Sequence, residues 1–217
     1  MSEFIIIAGP QAAGKSTVIS RLNEQYQNIS PLFSGKKAPL LFPLQESRQI
    51  IVHANILLGA IFMTRQHELE VVKCDLLRMD QILRRTRDRL VYLDECNIFT
   101  IAHAAAHGIE EIEKHWNEYV VRLKKLRAKV IFLDIPPEVS WERRRKKYEQ
   151  RLVYFPKKSH KGIMKRYEEY MEKAHILLHD VFRRVPFPKE IIDGRLPEKA
   201  VIQRVSETLA KLSTAFR

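Results

Sequence analysis

The sequence predicts an α/β fold in which helices cover both faces of a mostly parallel sheet. Two observations predict it. Short, continuously apolar runs alternate along the chain with longer segments of helical periodicity, and a glycine-bounded loop joins the first run to the first helix. Because the ligands of such sheets bind beyond the carboxyl ends of the strands, we expect the functional residues directly after the apolar runs.

The length and composition favour one domain with a complete core. The chain has 217 residues, 45% of them hydrophobic, which excludes the disordered, collagen-like and disulfide-stapled classes, and we predict a single domain over residues 1–217. Its two cysteines, Cys74 and Cys96, supply no disulfide framework. No apolar stretch has the pattern of a signal peptide or the length of a membrane span, so we expect a reduced, cytoplasmic protein without a membrane partner.

The first half of the chain opens with a strand, a loop and a helix. Residues 4–8 form the apolar run of a buried strand, and from Lys15 onward the apolar positions recur at helical spacing. Pro, Gly and Ser are dense over 28–45, which indicates a connection; the run 40–44 favours a strand, but its proline opposes one. Helices are predicted over 46–65 and 66–89.

The second half continues the alternation of short strands and helices. Short apolar runs predict strands over 90–93, 130–133 and 190–192. Apolar stripes predict helices over 109–127 and 162–184, and a last helix that Pro197 opens. No internal repeat or linker interrupts this order, so the pattern indicates one domain with a helical insert.

The most specific motif is the loop after the first strand. Residues Gly9–Ser16 satisfy the pattern Gly-x-x-x-x-Gly-Lys-Ser between a strand and a helix. Its glycines allow a tight turn that aims consecutive N–H groups at phosphate oxygens, and the helix adds its positive dipole end. Lys15 supplies a cation for the β and γ phosphates, and the Ser16 hydroxyl is a Mg²⁺ ligand. The predicted ATP contacts are Gly9, Gln11, Ala12, Ala13, Gly14, Lys15, Ser16 and Thr17.

Asp94 ends the second buried run and is the second candidate site residue. In a parallel sheet it emerges at the same edge as the phosphate loop, where it reaches Mg²⁺, its water shell or a substrate hydroxyl. Glu95 adds a second carboxylate beside it. The alternative interpretation is that Asp94 caps the next helix.

The positive charge of the chain is concentrated in its second half. The formal net charge is +12, which favours an anionic partner such as a nucleotide or a nucleic acid. Between Trp141 and Arg184 there are 14 Lys or Arg and 6 Asp or Glu, a balance of +8. We interpret a basic segment at about 141–160 as a mobile lid that closes over a bound triphosphate. For any single basic residue, a solvated helix face is the alternative.

The order of motifs resembles that of the P-loop nucleoside and nucleotide kinases, most of all thymidylate kinase and the deoxynucleoside kinases. The resemblance rests on Gly9–Ser16, on residues 91–94, on residues 132–139 followed by Arg143 and Arg145, and on residues 191–194. It implies a P-loop three-layer sandwich with a central, mostly parallel five-stranded sheet and a helical lid. It also implies transfer of the γ-phosphoryl group of Mg-ATP to a nucleoside or nucleoside monophosphate.

The resemblance assigns roles by position. Asp94 matches the carboxylate that assists the acceptor. Arg143, Arg145 and Lys147 fall where lid cations lie, and Arg78 is a candidate for binding an acceptor phosphate. This chain departs from the thymidylate kinases at Glu95, where they have Arg, and at residues 102–104, Ala-His-Ala in place of Ala-Tyr-Gln. Recognition of thymine is therefore not implied.

We predict an ATP- and Mg²⁺-dependent phosphotransferase with a small-molecule acceptor. The predicted catalytic residues are Lys15, Asp94, Glu95, Arg143 and Arg145, and the predicted Mg²⁺ ligands are Ser16 and Asp94. One alternative is an ATPase that hydrolyses ATP with the Asp94–Glu95 pair, and another is a nucleic-acid-binding protein, which the charge suggests. Homodimer formation is a further alternative that the sequence leaves open.

Two further features have weaker signals. His103 and His107 are four residues apart, so on a helix they share one face; a zinc site, a packed pair and a substrate-facing pair all fit that spacing. Glu46 and Arg48 follow the proline-rich connection and are candidates for orienting the acceptor.

Overall fold

The computed structural model describes residues 3–26, 29–31, 64–84, 91–95 and 97–212, and of residues 29–31 the backbone alone. The strand candidate at 40–44, the helix predicted over 46–65, and the candidates Glu46 and Arg48 lie outside the described residues.

Five parallel strands form the sheet of the described chain, in the order β2-β3-β1-β4-β5. They are β1 (Glu3–Ala8), β2 (Ile29–Pro31), β3 (Val91–Glu95), β4 (Lys129–Asp134) and β5 (Lys189–Asp193). The parallel sheet predicted from the alternation of apolar runs is thus confirmed. Because β3 and β4 both pair with β1, they end on either side of the loop that follows it.

Seven helices accompany the strands in the described residues. They are α1 (Lys15–Gln25), α2 (Arg65–Arg84), α3 (Thr100–Ala106), α4 (Trp116–Lys125), α5 (Pro137–Arg151), α6 (His160–Arg184) and α7 (Glu198–Leu212). Short 3₁₀ turns lie at 97–99, 110–115, 152–154 and 157–159. No helix among the described residues is both long enough and apolar enough to cross a membrane.

The helices lie in two layers because side chains alternate between the faces of each strand. Ile5 and Ile7 of β1 face a core that includes buried residues of α1 and α7. Phe4 and Ile6 face a second core that includes residues of α2, α3, α4 and α6. Both faces of the sheet are therefore covered, and the predicted three-layer sandwich is confirmed.

The predicted and observed elements differ in three places. Helix α3, at Thr100–Ala106, was not predicted, because seven residues are too few for a clear periodic signal. Strand β2, at Ile29–Pro31, lies within the segment predicted as a connection. It is a three-residue edge strand that ends in proline, and neither its length nor its composition carries a periodic signal. The helix predicted over 109–127 is divided into a 3₁₀ turn at 110–115 and the α-helix α4.

The basic segment forms helix α5 and the start of α6. Pro137 lies in the first turn of α5, and two 3₁₀ turns join α5 to α6. The two helices pack through aromatic side chains, with the rings of Tyr148 and Tyr167 stacked at 3.8 Å between centroids. This small core holds α5 against α6, beyond the end of β4.

Candidate functional site

The loop between β1 and α1 has the backbone of a phosphate-binding turn. Gly9 and Gly14 have φ angles of 137° and 92°, and Ala12 also has a positive φ of 61°. A Cβ atom at Gly9 would lie 2.1 Å from the carbonyl oxygen of Leu133 in β4. Glycine is therefore required there both by the backbone conformation and by the close approach of the neighbouring strand.

Lys15 is folded back over its own loop. Its ammonium group donates hydrogen bonds to the carbonyl oxygens of Gly9 at 2.9 Å and Pro10 at 2.8 Å, and the residue is buried. Glu95 Oε1 lies 3.9 Å from the same Nζ atom. The two backbone carbonyls are neutral acceptors, so phosphate oxygens, which carry full charge, are stronger partners for this ammonium group.

Glu95 is the carboxylate that meets the phosphate loop. The Ser16 hydroxyl donates a hydrogen bond of 2.8 Å to Glu95 Oε2, while Ser16 itself is exposed. Ser16 and Glu95 together present a hydroxyl and a carboxylate oxygen beside Lys15. Oxygen ligands of this kind are those that Mg²⁺ prefers.

Asp94 faces the opposite side of β3 and is almost fully buried. Asn97 Nδ2 donates a hydrogen bond of 2.8 Å to Asp94 Oδ2, and Arg78 Nη2 lies 3.7 Å from the same oxygen. Burial raises the pKa of Asp94, whereas the charge of Arg78 acts to lower it. Asp94 and Ser16 were predicted to share Mg²⁺, whereas Ser16 contacts Glu95 in the structure.

Arg78 connects Asp94 to a second buried carboxylate. Its guanidinium also forms an ion pair with Asp75, which accepts a hydrogen bond of 2.8 Å from the Tyr119 hydroxyl. Burial raises the pKa of Asp75 to about 6, against the lowering effect of Arg78. The result is a network of two carboxylates, one arginine and one tyrosine beneath the end of β3.

The two predicted lid arginines have different positions. Arg143 Nη1 donates to the carbonyl oxygens of Ala12 at 3.3 Å and Gly194 at 3.1 Å, so it joins α5 to the phosphate loop. Arg145 forms a surface ion pair with Glu149 and is exposed. Of these two candidates, only Arg143 contacts the loop.

Gln11 is a loop residue whose contacts the motif did not reveal. Its carbonyl accepts a hydrogen bond from Ser140, and its side-chain oxygen accepts one from the Tyr148 hydroxyl. Its Nε2 donates at 3.4 Å to the hydroxyl of Tyr170 in α6. The loop is thus tied to both helices of the basic segment.

Tyr148 also brings two further basic residues towards the loop. The guanidinium groups of Arg144 and Arg151 lie 5.7 Å and 5.9 Å from the centre of its ring. Neither arginine was among the predicted site residues. Their spacing with Tyr148, four and three residues along α5, is the signal that could have singled them out.

His103 and His107 form a packed pair against Tyr170. The His107 ring stacks on Tyr170 at 4.4 Å, and His103 Nδ1 lies 2.8 Å from the Tyr170 hydroxyl. Burial lowers the pKa of His103 to about 3, with a further contribution from nearby Lys15. Burial likewise lowers the pKa of His107 to about 4. Both imidazoles are therefore neutral at pH 7, and among the described residues they belong to no three-residue metal-ligand cluster.

Glu68 of α2 completes this side of the site. It is buried, and its Oε1 lies 3.9 Å from His107 Nε2. Burial raises the pKa of Glu68 to about 8, with a smaller contribution from the charge of Asp75. Nothing in the sequence pattern distinguished this glutamate, because it lies in the first turn of a helix where acidic residues are common.

Solved structures share this fold, whereas no family model and no curated protein matches the sequence. A structure of deoxyadenosine kinase from M. mycoides with bound dATP is 15% identical, with a TM-score of 0.55, over 96% of this chain and 99% of that one. Another, with the products dCMP and a flexible dCDP bound, is 14% identical, with a TM-score of 0.59 and the same coverage. The chain therefore has the fold of a deoxynucleoside kinase-like P-loop kinase.

Proposed function

We propose that this protein is an ATP-dependent phosphotransferase that phosphorylates a nucleoside or a nucleoside monophosphate. One observation carries the proposal: Lys15, Ser16 and Glu95 lie together at a loop whose backbone has the conformation of a phosphate cradle. The fold supports it, because the deoxyadenosine kinases with that fold bind dATP and dCTP, or dCMP with dCDP.

Ser16 and Glu95 are the residues that would hold Mg²⁺ in this enzyme. Their oxygens are 2.8 Å apart, and both are hard oxygen donors of the type that Mg²⁺ requires. When bound, the ion neutralises charge on the β and γ phosphates. The pairing favours Glu95 over Asp94 for this role.

Lys15 and the α5 arginines supply the protein's own positive charge. Lys15 exchanges the carbonyls of Gly9 and Pro10 for phosphate oxygens, a change of partners that needs rotation of one side chain only. Arg143 holds α5 onto the loop, and Arg144 lies on the Tyr148 side of the helix. In this proposal residues 141–160 act as the lid that excludes water from the transferred group.

The buried network supports binding of the acceptor. Asp94 and Asp75 fix Arg78 below the edge of the sheet, where the acceptor approaches the loop. In this role Asp94 is a positioning residue, since it acts through Arg78. The acceptor phosphate or hydroxyl then meets an arginine that is already oriented, which lowers the entropic cost of binding.

ATP hydrolysis is the second candidate function, and the adjacent Asp94 and Glu95 are the observation that favours it. In an ATPase, a glutamate beside the Mg²⁺ site orients the attacking water. The contact of Glu95 with Ser16 fits both functions, so replacing Glu95 does not separate them. The two functions are separated by the identity of the molecule that accepts the phosphate.

An acceptor panel tests the proposal. The purified protein is incubated with Mg-ATP and the common nucleosides and nucleoside monophosphates, and both ADP and the phosphorylated acceptor are quantified. We expect one or more acceptors to gain phosphate in equal amount to the ADP formed. Lys15→Ala is expected to reduce this transfer by about 100-fold or more, because it removes a charge-assisted contact to the transferred group.

The competing functions give different results in the same assay. ADP with an equal amount of free phosphate, and no phosphorylated acceptor, would replace the kinase proposal with the ATPase. Absence of ADP, together with nucleic-acid binding that weakens steeply with salt, would favour the nucleic-acid-binding alternative.

A further inference from the structure

A second polar cluster lies outside the phosphate loop, where β4 meets α6. Asp134 is the last residue of β4, and His175 and His179 are one turn apart on α6. One ligand atom from each of the three lies within 4.8 Å of the others. Among the described residues, this is the cluster of three side chains with metal-ligand chemistry.

The position of Asp134 follows from the alternation along β4. Phe132 and Asp134 point to the same face of the sheet, and Phe132 packs there against the rings of His179 and Phe182, at 5.0 Å and 5.1 Å between centroids. The Asp134 carboxylate therefore emerges beside the histidines, with Oδ1 3.0 Å from His179 Nε2.

His175 has a polar atom without a partner. Its Nδ1 is shielded from solvent and makes no hydrogen bond within the described structure. Its ring lies 4.6 Å from that of His179, and the Glu138 carboxylate of α5 is close enough to interact with it electrostatically. An imidazole nitrogen in these surroundings favours a ligand that accepts its lone pair.

We propose that Asp134, His175 and His179 form a binding site for a divalent transition metal of the zinc type. Two imidazoles and one carboxylate are a donor set that zinc uses, with water or a further carboxylate in the fourth position. The nitrogen donors favour zinc, cobalt or nickel over Mg²⁺. The site is thus chemically distinct from the oxygen ligands Ser16 and Glu95.

The geometry needs little adjustment to bind such an ion. Ligand atoms of tetrahedral zinc are about 3.3 Å apart, given bond lengths near 2.0 Å. The contact between Asp134 and His179 already has nearly this length at 3.0 Å, and a ligand nitrogen of the half-buried His175 lies within 4.8 Å of both partners, a gap that side-chain rotation is able to shorten. Both histidines project from consecutive turns of one helix, so no backbone movement is required.

A bound metal would join the end of β4 to α6, close to the start of the lid. Asp134 is followed after two residues by Pro137, where α5 begins, and the histidines belong to α6. The ion would therefore restrain the joint between the sheet and α5, which carries Arg143. We assign it this structural role and no part in the chemical step.

Zinc titration of the full chain tests the site. Protein stripped of metal with a chelator is titrated with Zn²⁺ by calorimetry in excess Mg²⁺, and with Co²⁺ by absorption spectroscopy. We expect one equivalent of zinc and the visible absorption of tetrahedral cobalt. His175→Ala and His179→Ala should each weaken binding by at least about tenfold, and Asp134→Asn should do the same.

His115→Ala is the matched control. His115 Nδ1 lies 2.8 Å from Glu118 Oε1, so the two residues form a histidine–carboxylate pair like that of His179 and Asp134. Among the described residues, no third metal-binding side chain lies beside them. Its replacement should leave zinc affinity unchanged. Far-ultraviolet circular dichroism and the melting temperature, both measured without metal, establish that each variant is folded. If His175→Ala does not fold, His175→Gln is used in its place.

Two results would overturn the proposal. One is the absence of stoichiometric zinc binding by the wild type in excess Mg²⁺. The other is zinc affinity that is unchanged in folded variants of both His175 and His179. The acceptor panel for the kinase is independent of either result, because no ligand of this site belongs to the phosphate loop.

Discussion

The two sides of the end of β3 differ although Asp94 and Glu95 are consecutive residues. On the loop side, Glu95 meets the exposed Ser16 and lies near a lysine whose partners are backbone carbonyls. On the buried side, Asp94 lies in a network with Arg78 and Asn97, and of these three residues Arg78 keeps the most exposure, at 8%. The side-chain exposures, 14% for Glu95 and 1% for Asp94, express the same contrast.

The difference indicates which region changes during turnover and which stays fixed. Hydrogen bonds to neutral carbonyls on a loop are readily exchanged for bonds to phosphate. A buried arginine between two carboxylates is costly to disturb, since each charge depends on the others for compensation. We therefore expect substitutions on the loop side to change activity more than stability, and those on the buried side to change stability strongly.

Replacing Arg78 should have the largest effect on stability. Arg78→Met leaves the Asp75 and Asp94 carboxylates buried without their cation, and we expect a loss of about 3–5 kcal/mol in the free energy of unfolding. Urea denaturation monitored by circular dichroism measures it. Arg84→Met, an exposed change on the same helix, is the control and should cost less than about 0.5 kcal/mol. Equal stabilities of the two variants would contradict a fixed buried network.

Replacing Glu95 should give the opposite pattern. Glu95→Gln removes the charge beside Ser16, and we expect the rate of ADP formation with Mg-ATP to fall by about 100-fold or more. The free energy of unfolding should change by less than about 1 kcal/mol, because the side chain is partly exposed. Steady-state kinetics and urea denaturation on one preparation measure both quantities. Glu142→Gln, an exposed change on α5, serves as the control for each.

The free energy of unfolding should also depend on pH, because Glu68 is buried on this side. Burial raises the pKa of Glu68 from its ordinary value of 4.5 to about 8. Between these values the folded protein holds a proton that the unfolded chain has lost, so the wild type loses stability as the pH rises through this interval. We expect Glu68→Gln to remove this loss and to gain about 3–4 kcal/mol relative to the wild type between pH 5 and pH 8, at roughly 1.4 kcal/mol for each pH unit.

Denaturation at several pH values tests that expectation. The quantity compared is the difference in free energy of unfolding between Glu68→Gln and the wild type, which removes contributions that both proteins share. A difference that is constant with pH would show that Glu68 is ionised in the folded protein. Glu142→Gln should give a constant difference.

The smallest expected effect concerns the contact between α5 and the loop. Arg143→Ala removes hydrogen bonds to Ala12 and Gly194, and we expect the KM for ATP to rise five- to tenfold, or roughly 1–1.4 kcal/mol. Arg145→Ala, its neighbour on the exposed face, should change the KM less than twofold. Similar effects of the two variants would indicate that α5 acts through its net charge alone.

Much of this arrangement could be predicted from the sequence because its signals are local. The phosphate loop is a contiguous motif, and its glycines are required by the backbone angles of residues 9 and 14. Continuous apolar runs are visible wherever a strand is buried on both faces, which is why β1, β3 and β4 were predicted. The edge strand β5, in which Glu190 and Ile191 are exposed, was predicted from a shorter run. Strand β2 was not, since its three residues depend on pairing with β3.

Contacts between residues that are distant in the chain could not be predicted from local sequence signals. The sequence contains two histidine pairs at the same four-residue spacing, His103–His107 and His175–His179, and only the first was a predicted candidate for a metal site. Folding stacks that pair against Tyr170 and brings Asp134 to the other. Sequence periodicity predicts which side chains share a helix face, but not what lies opposite that face.

The parallel α/β sheet and the phosphate loop at its carboxyl edge are encoded locally, because periodicity and a short motif specify them over a few residues. The contact of Ser16 with Glu95, and the opposite orientation of Asp94 towards Arg78, arise only when the chain has folded. Successive side chains of a strand point to opposite faces, and the layers packed on those faces come from distant parts of the chain. The surroundings of each carboxylate are therefore a property of the assembled fold.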